Sequence, residues 1–363
     1  MRSIILFLLL VCSARFAPAQ NDPIILSRTI LIGDAGEMDP AQKQVIQSAS
    51  DYILKEKTTV FFLGDNIYPN GMALPGTPEE KGTQAILRSQ FQPMREKGAK
   101  VYFLPGNHDW DRSGPQGLAR IRAQSAFIAA QGDQSLKMVP EQGCPDPQEI
   151  KINEDLTVIA FDSEWWVFTH EKTSAPECSC KTEEDVLQRF RQIFNDNRGK
   201  QILLASHHPF QSYGNHGGHY TFMQHLFPLR DLNKNIYLPL PIIGSLYPIY
   251  RMLWPDKEDL IHPTYARMIK RIDSIFKGYP NMVHVAGHEH GLQFIEREGD
   301  LQVVSGSGAK LSHVVHGKYA LFADVSPGYV IADQLADKSI RFTYFKIVDG
   351  RVVEAFKYVK PYI

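Results

Sequence analysis

The stretch Arg28-Thr29-Ile30-Leu31-Ile32-Gly33-Asp34-Ala35-Gly36 decides how the chain is read: a short apolar run that stops at Gly-Asp. The same arrangement returns along the sequence. Thr59–Leu63 runs into Gly64-Asp65-Asn66-Ile67-Tyr68, and Lys100–Leu104 is followed by Gly106-Asn107-His108-Asp109. Further on, Gln201–Ala205 leads to Ser206-His207-His208-Pro209, and Asn281–Ala286 leads to Gly287-His288-Glu289-His290. Runs of this length, rich in Val, Ile, Phe and Leu, read as strands. A glycine at the strand end lets the backbone turn sharply or approach a neighbour closely.

Between the strands, and a sixth at Leu156–Phe161, lie helical patterns at Ala41–Leu54, Gln84–Glu96, Gly117–Ala130, Glu183–Asp196 and Thr264–Phe276. Thr182 with Asp185 three residues on resembles a capping box and marks one helix start. Alternating strands and helices predict an α/β fold. After about residue 291 the pattern becomes mostly strand, ending in Ile340–Ile347 and Val352–Val359, which suggests a second sheet packed on the first. No linker interrupts residues 20–363, so a single domain is expected.

Hydrophobic residues are 43% of the chain and charged ones 22%, enough apolar content for a buried core. Lys plus Arg (39) balances Asp plus Glu (40), which argues against a nucleic-acid partner held by a basic surface. The start, Met1-Arg2-Ser3 followed by apolar Ile4–Val11 and closing in Ala17-Pro18-Ala19, describes a cleaved secretory signal over residues 1–19. That apolar run is too short to span a bilayer. Export to a secreted or periplasmic location follows; lipoprotein anchoring at Cys12 is disfavoured by Val11, where a small residue is required. In an oxidising compartment Cys144 can pair with Cys178 or with Cys180 as a loop staple.

In α/β sheets ligands gather beyond the carboxyl ends of strands, so five polar clusters at five such ends point to one site. Two carboxylates, a phenol, an amide oxygen and three imidazoles suit Fe, Mn or Zn. They exceed what one ion needs and imply two metals, the usual clamp for phosphoryl displacement. These motifs resemble those of the calcineurin-like metallophosphoesterases, and within them the small, tartrate-resistant-like purple acid phosphatases, over roughly residues 28 to 310. The discriminating pair is the absence of Asp-x-His at Asp34-Ala35-Gly36 and the tyrosine, Tyr68, three residues after Asp65. The resemblance implies a four-layer α/β/β/α sandwich of two mixed β-sheets flanked by helices. It implies that Asp34, Asp65, Tyr68 and His290 hold ferric iron, and that Asp65, Asn107, His207 and His288 hold a divalent Fe, Zn or Mn. It further implies a visible Fe(III)–tyrosinate band, a role for His108 in binding phosphate or protonating the leaving group, and an outer-sphere histidine at His216, followed by Gly217. His208 stands where the mammalian tartrate-resistant enzymes have tyrosine, and either orients the site or faces solvent. Asp109 is expected to hold a ligand or His108, His219 and His225 to be structural or solvent-facing, and Ser305-Gly306-Ser307-Gly308 to pack near the site.

The expected activity is hydrolysis of small phosphate monoesters by a metal-bound hydroxide. A phosphodiesterase or nucleotide hydrolase on the same centre is the alternative, and a non-catalytic exported binding protein the second. About 80 residues separate His208 from Gly287, and part of them, about 220–262, looks like a cap or insertion. Within it, residues 236–254 are mostly apolar, with Pro239, Pro241 and Pro248 excluding a regular spanning helix. That segment reads either as a packed loop or as a lid or apolar docking surface beside the pocket. Trp165-Trp166 belong to the core or line the same pocket.

Overall fold

The computed structural model describes residues 23–170, 172, 178–227, 229, 236–240 and 243–363. The expected signal segment, with Cys12, lies outside the described residues. The first third of the chain forms β1 (Ile25–Ile32), α1 (Pro40–Asp51), β2 (Thr58–Leu63), α2 (Glu80–Glu96), β3 (Lys100–Leu104), α3 (Gly117–Ala129) and β4 (Leu136–Met138). Next come β5 (Gln148–Lys151), β6 (Leu156–Ala160), α4 (Glu164–Val167), α5 (Glu183–Asp196), β7 (Gln201–Ala205), α6 (Phe222–Leu226), α7 (Ile243–Leu253), α8 (Pro263–Phe276) and β8 (Met282–Ala286). The remainder is β9 (Leu292–Arg297), β10 (Asp300–Ser305), β11 (Ala320–Asp324), β12 (Gly328–Leu335), β13 (Ile340–Val348) and β14 (Arg351–Lys360).

Two mixed seven-stranded sheets result, ordered β14-β13-β12-β1-β2-β3-β4 and β11-β9-β10-β8-β7-β6-β5. The central strands are apolar on both sides because each sheet is covered on both faces. In β1 and β2, Ile30, Ile32, Val60 and Phe62 pack outward under α1 and α2 with Val45, Leu87 and Met94. Their alternates Leu31, Phe61 and Leu63 meet Val158, Leu203, Val283 and Val285 of the other sheet. On the far side Val186, Phe190 and Ile193 of α5 and Ile272 and Phe276 of α8 cover the second sheet. The layering is therefore helix, sheet, sheet, helix.

Caps set the helix starts. Asp39 accepts from the Gln42 N–H with Pro40 opening α1, and Thr182 with Asp185 forms the complete capping box of α5. The C-terminal strands depart from expectation. They do not make a second sheet of their own: β9, β10 and β11 complete the sheet begun by β5–β8, whereas β12–β14 extend the first sheet through antiparallel pairing of β12 with β1. That pairing satisfies the free edge β1 leaves opposite β2.

Cys144 pairs with Cys178, their Cα atoms 5.4 Å apart, and Cys180 is free and buried. Trp165 and Trp166 are core residues. The apolar stretch 236–254 contains α7, and Leu246, Ile249, Tyr250, Met252, Leu253 and Trp254 are all exposed. Among the described residues, no helix is long and apolar enough to cross a membrane.

Candidate metal centre

β1, β2 and β3 run parallel in one sheet, and β7 and β8 run parallel in the other, so their carboxyl-end loops face one another. All seven expected ligands and both expected outer-sphere histidines come together there. Asp34, Asp65 and His288 adopt positive φ (57°, 53° and 68°), a conformation costing roughly 1–3 kcal/mol each in a non-glycine residue. The surroundings hold them so: the His288 N–H donates to Asp34 Oδ2 at 2.8 Å, and the Asp34 N–H donates to the Gly64 carbonyl at 3.0 Å. Gly64, at φ +90°, leaves room for the His207 ring, since a Cβ there would stand 2.5 Å from His207 Nδ1.

The donors lie close together, with ligand atoms of Asp34, Asp65 and His207 all within 4.8 Å of one another. Tyr68 Oη lies 3.1 Å from Asp34 Oδ1 and 3.3 Å from His290 Nε2. On the other side His207 Nε2 lies 2.9 Å from Asn107 Oδ1, 3.2 Å from His288 Nδ1 and 3.4 Å from Asp65 Oδ1. Proton placement on His207 and His288 is informative. His207 Nδ1 can only donate to the Leu63 carbonyl (2.8 Å), and His288 Nε2 can only donate to the Glu258 carbonyl (3.0 Å). In neutral imidazoles the other two nitrogens, His207 Nε2 and His288 Nδ1, are then bare acceptors facing each other, with the Asn107 and Asp65 oxygens alongside. Three acceptors within 3.4 Å of His207 Nε2, itself an acceptor, with no proton between them fit a cation. Backbone carbonyls holding the remote ring nitrogens are the usual support of histidine ligands.

The electrostatics agree. Burial pushes the Asp34 carboxyl up, against His207 and with the neighbouring Asp65. Burial acts likewise on Asp65, but the neighbouring His207 and His108 rings, when protonated, and the His108 N–H outweigh it and lower Asp65. Burial lowers His207, His288 and His290, the last to about 4, which keeps these rings neutral as ligands must be. Burial and then the Asp34 and Asp65 charges raise the Tyr68 phenol well above its ordinary value, so only a strong Lewis acid would hold it as phenolate.

His108 Nδ1 lies 2.5 Å from the Pro69 carbonyl, and the ring packs edge-on against Tyr68. His108 and His216 line one cavity of about 270 Å³, which Arg112, Arg251 and Lys257 also line. His216 Nδ1 lies 3.2 Å from Asp259 Oδ1. Burial works against a charged His216, yet the Asp259 bond and the charges of Glu289, Asp259 and Glu258 win and raise it. His208 does not face solvent: it is fully buried, its Nδ1 2.8 Å from Ser163 Oγ and its Nε2 2.8 Å from Glu258 Oε2. Both ring nitrogens are engaged, so His208 orients Glu258, which in turn holds His288 through its carbonyl. Asp109 acts on the ligand loops: its carboxylate accepts from the backbone N–H groups of Asn66 and Gly106 and from the Asn66 amide, and so shapes the loops that present Asp65 and Asn107. Ser305–Gly308 does pack at the centre: Gly33 donates to the Ser305 carbonyl at 2.7 Å, and a Cβ on Gly306 would lie 2.9 Å from Asp34 Oδ2. His219 and His225 line a neighbouring cavity.

Arg251, Glu258 and Asp259 are the contributors that sequence reading overlooks. In Asp256-Lys257-Glu258-Asp259 the charges read as a solvated turn, and the Pro255 that precedes them strengthens that impression. Only the fold brings them to His208, His216 and His288.

The calcineurin-like phosphoesterase family model matches residues 27–292. No curated protein sequence matches. Among solved structures, PhoD superposes with a TM-score of 0.59 at 11% identity, over 95% of this chain and 71% of that one. The purple acid phosphatase PPD1 of yellow lupin (Lupinus luteus) gives 0.55 at 14% identity, over 93% of this chain but only 54% of the lupin enzyme. GAP50, the anchor in the inner membrane complex of Plasmodium, gives 0.54 at 14%, over 94% and 90%. At these identities the structural likenesses speak for the fold, whereas the family match spans the site motifs themselves. The chain belongs to the calcineurin-like phosphoesterase family, metal-dependent phosphoester hydrolases that use a dinuclear centre.

Proposed function

We propose that this protein is an exported phosphomonoesterase of the purple acid phosphatase type. The observation that carries the reading is the set of bare acceptors formed by His207 Nε2, His288 Nδ1, Asn107 Oδ1 and Asp65 Oδ1, beside the Asp34–Tyr68–His290 group. Asp34, Asp65, Tyr68 and His290 would hold ferric iron; Asp65, Asn107, His207 and His288 would hold a divalent ion. When bound, the pair supplies activation of water and neutralisation of charge on the phosphoryl oxygens.

The chain's own residues do the rest. Arg112 and Lys257 in the cavity lining draw the dianion in, and His108 binds a phosphate oxygen. As the water oxygen bonds to phosphorus, the bond to the ester oxygen breaks and its electron pair leaves with the alcohol. His216, held through Nδ1 by Asp259, gives that oxygen its proton from Nε2, and the ring is reprotonated from the attacking water. Export is supported by the signal-like start and by the Cys144–Cys178 pair, which suits an oxidising compartment. Turnover of 4-nitrophenyl phosphate against bis(4-nitrophenyl) phosphate tests the reading. The monoester should be cleaved faster; faster cleavage of the diester moves the assignment to phosphodiester hydrolysis.

A further inference from the structure

A second cavity of about 410 Å³ adjoins the one that contains His216. Its volume lies in the roughly 300–1,000 Å³ range of small-molecule sites. The two share one lining residue, Arg251. Asp259, which lines the second cavity, bonds both to Arg251 and to His216. Asn215 and Gly217, on either side of His216 in sequence, also face the second cavity. His216 therefore stands at the junction.

The walls have a definite chemistry. Ile249 and Met252 of α7, with Val315, give aliphatic surface, while His219, Tyr220 and His225 give rings. The His219 ring packs at 4.8 Å on Tyr213, and His225 meets Tyr220 edge-on at 6.4 Å, so both rings are buttressed. Ile249 and Met252 are 43% and 63% exposed, apolar surface left open beside a reactive centre. None of these side chains belongs to the metal groups.

A larger cavity of about 1040 Å³ opens beside Tyr68 but shares no lining residue with the His216 cavity. The leaving oxygen must lie within hydrogen-bond reach of its proton donor. An alcohol leaving toward His216 therefore extends over Arg251 into the smaller cavity.

We propose that this second cavity is the subsite for the leaving alcohol, and that it selects phosphomonoesters whose alcohol carries a flat apolar ring system. The proposal rests on the phosphomonoesterase reading, with His216 on the leaving-group side. The insertion then contributes directly to substrate choice, because α7 and the Arg251–Asp259 pair build the subsite and tie it to His216.

The test uses the full metal-loaded protein and two pairs of probes. Methylphosphonate and (2-naphthylmethyl)phosphonate are compared for affinity by calorimetry, and ethyl phosphate and 2-naphthylmethyl phosphate for KM. The naphthyl member should win by about tenfold or more in each pair, the discrimination a hydrophobic pocket supplies. Ile249→Asp and Met252→Asp, at exposed positions that tolerate polar groups, should each bring the ratio towards one. Equal affinity within the phosphonate pair, or a ratio unchanged in both variants, overturns the subsite. If neither ester is hydrolysed the phosphatase reading fails, and the phosphonate ratio still decides the cavity.

Discussion

At the scale of single residues, position at a strand end does most of the work. Gly64 has no side chain because the His207 ring occupies that space, and its φ of +90° is a conformation other residues adopt at a cost. Gly64→Ala should displace His207 and lower the metal content of the purified protein by about one ion, read by elemental analysis, while far-ultraviolet circular dichroism stays unchanged. Full metal content in that variant would mean His207 is not needed. Asp259 acts at one remove. If it holds His216 for proton donation, Asp259→Asn should slow hydrolysis of an alkyl phosphate by up to the ~10²–10⁴-fold that general acids supply. The 4-nitrophenyl ester, whose leaving group needs no proton, should be spared. An equal loss on both esters would assign Asp259 a structural role only. Asp34, Asp65, Asn107, His207, His288 and His290 are legible in the sequence because each lies within four residues of an apolar strand. Glu258 and Asp259 are not, because their partners His208 and His216 are 50 and 43 positions away.

At the scale of elements, strands buried on both faces impose their own costs. His284 in β8 is buried, with its ring 4.1 Å from Phe210 and its Nε2 3.8 Å from Asp273, and burial lowers it to about 3. The unfolded chain takes up this proton near pH 6.5 and the folded chain only near 3. Stability from His284 is thus complete above pH 6.5 and falls, by about 1.4 kcal/mol per pH unit, as pH drops towards 3. His284→Leu should lose this slope in urea melts between pH 6 and 4; an identical pH profile in the variant would place the acid sensitivity elsewhere. The longer elements are readable from local pattern: β3, β7 and α5 match their sequence expectations, α5 through its Thr182–Asp185 box. β4, β5 and α4, of three or four residues, are too short to show a period.

At the scale of the molecule, the two sheets bring five strand ends to one place, and Arg251, Lys257 and Glu258 line the cavity that opens there. Strand assignment to sheets escapes sequence reading because pairing is non-local: Ile30 sits opposite Ile331, and nothing in either segment names its partner. The chain instead completes each sheet from both ends, with β12 sealing β1 and β10 sealing β8. This closure keeps Asp34, after β1, fixed against His288, after β8. The fold thereby assembles a preformed set of donors, and what that set binds decides the function. The most direct measurement is the visible absorption spectrum, beside a metal assay, of protein purified without chelator, with Tyr68→Phe in parallel. Two metals per chain, iron among them, and a broad visible band that disappears in Tyr68→Phe are expected. A colourless protein loaded with zinc or manganese, or a band that survives the substitution, would rule out an Fe(III)–tyrosinate centre at Tyr68.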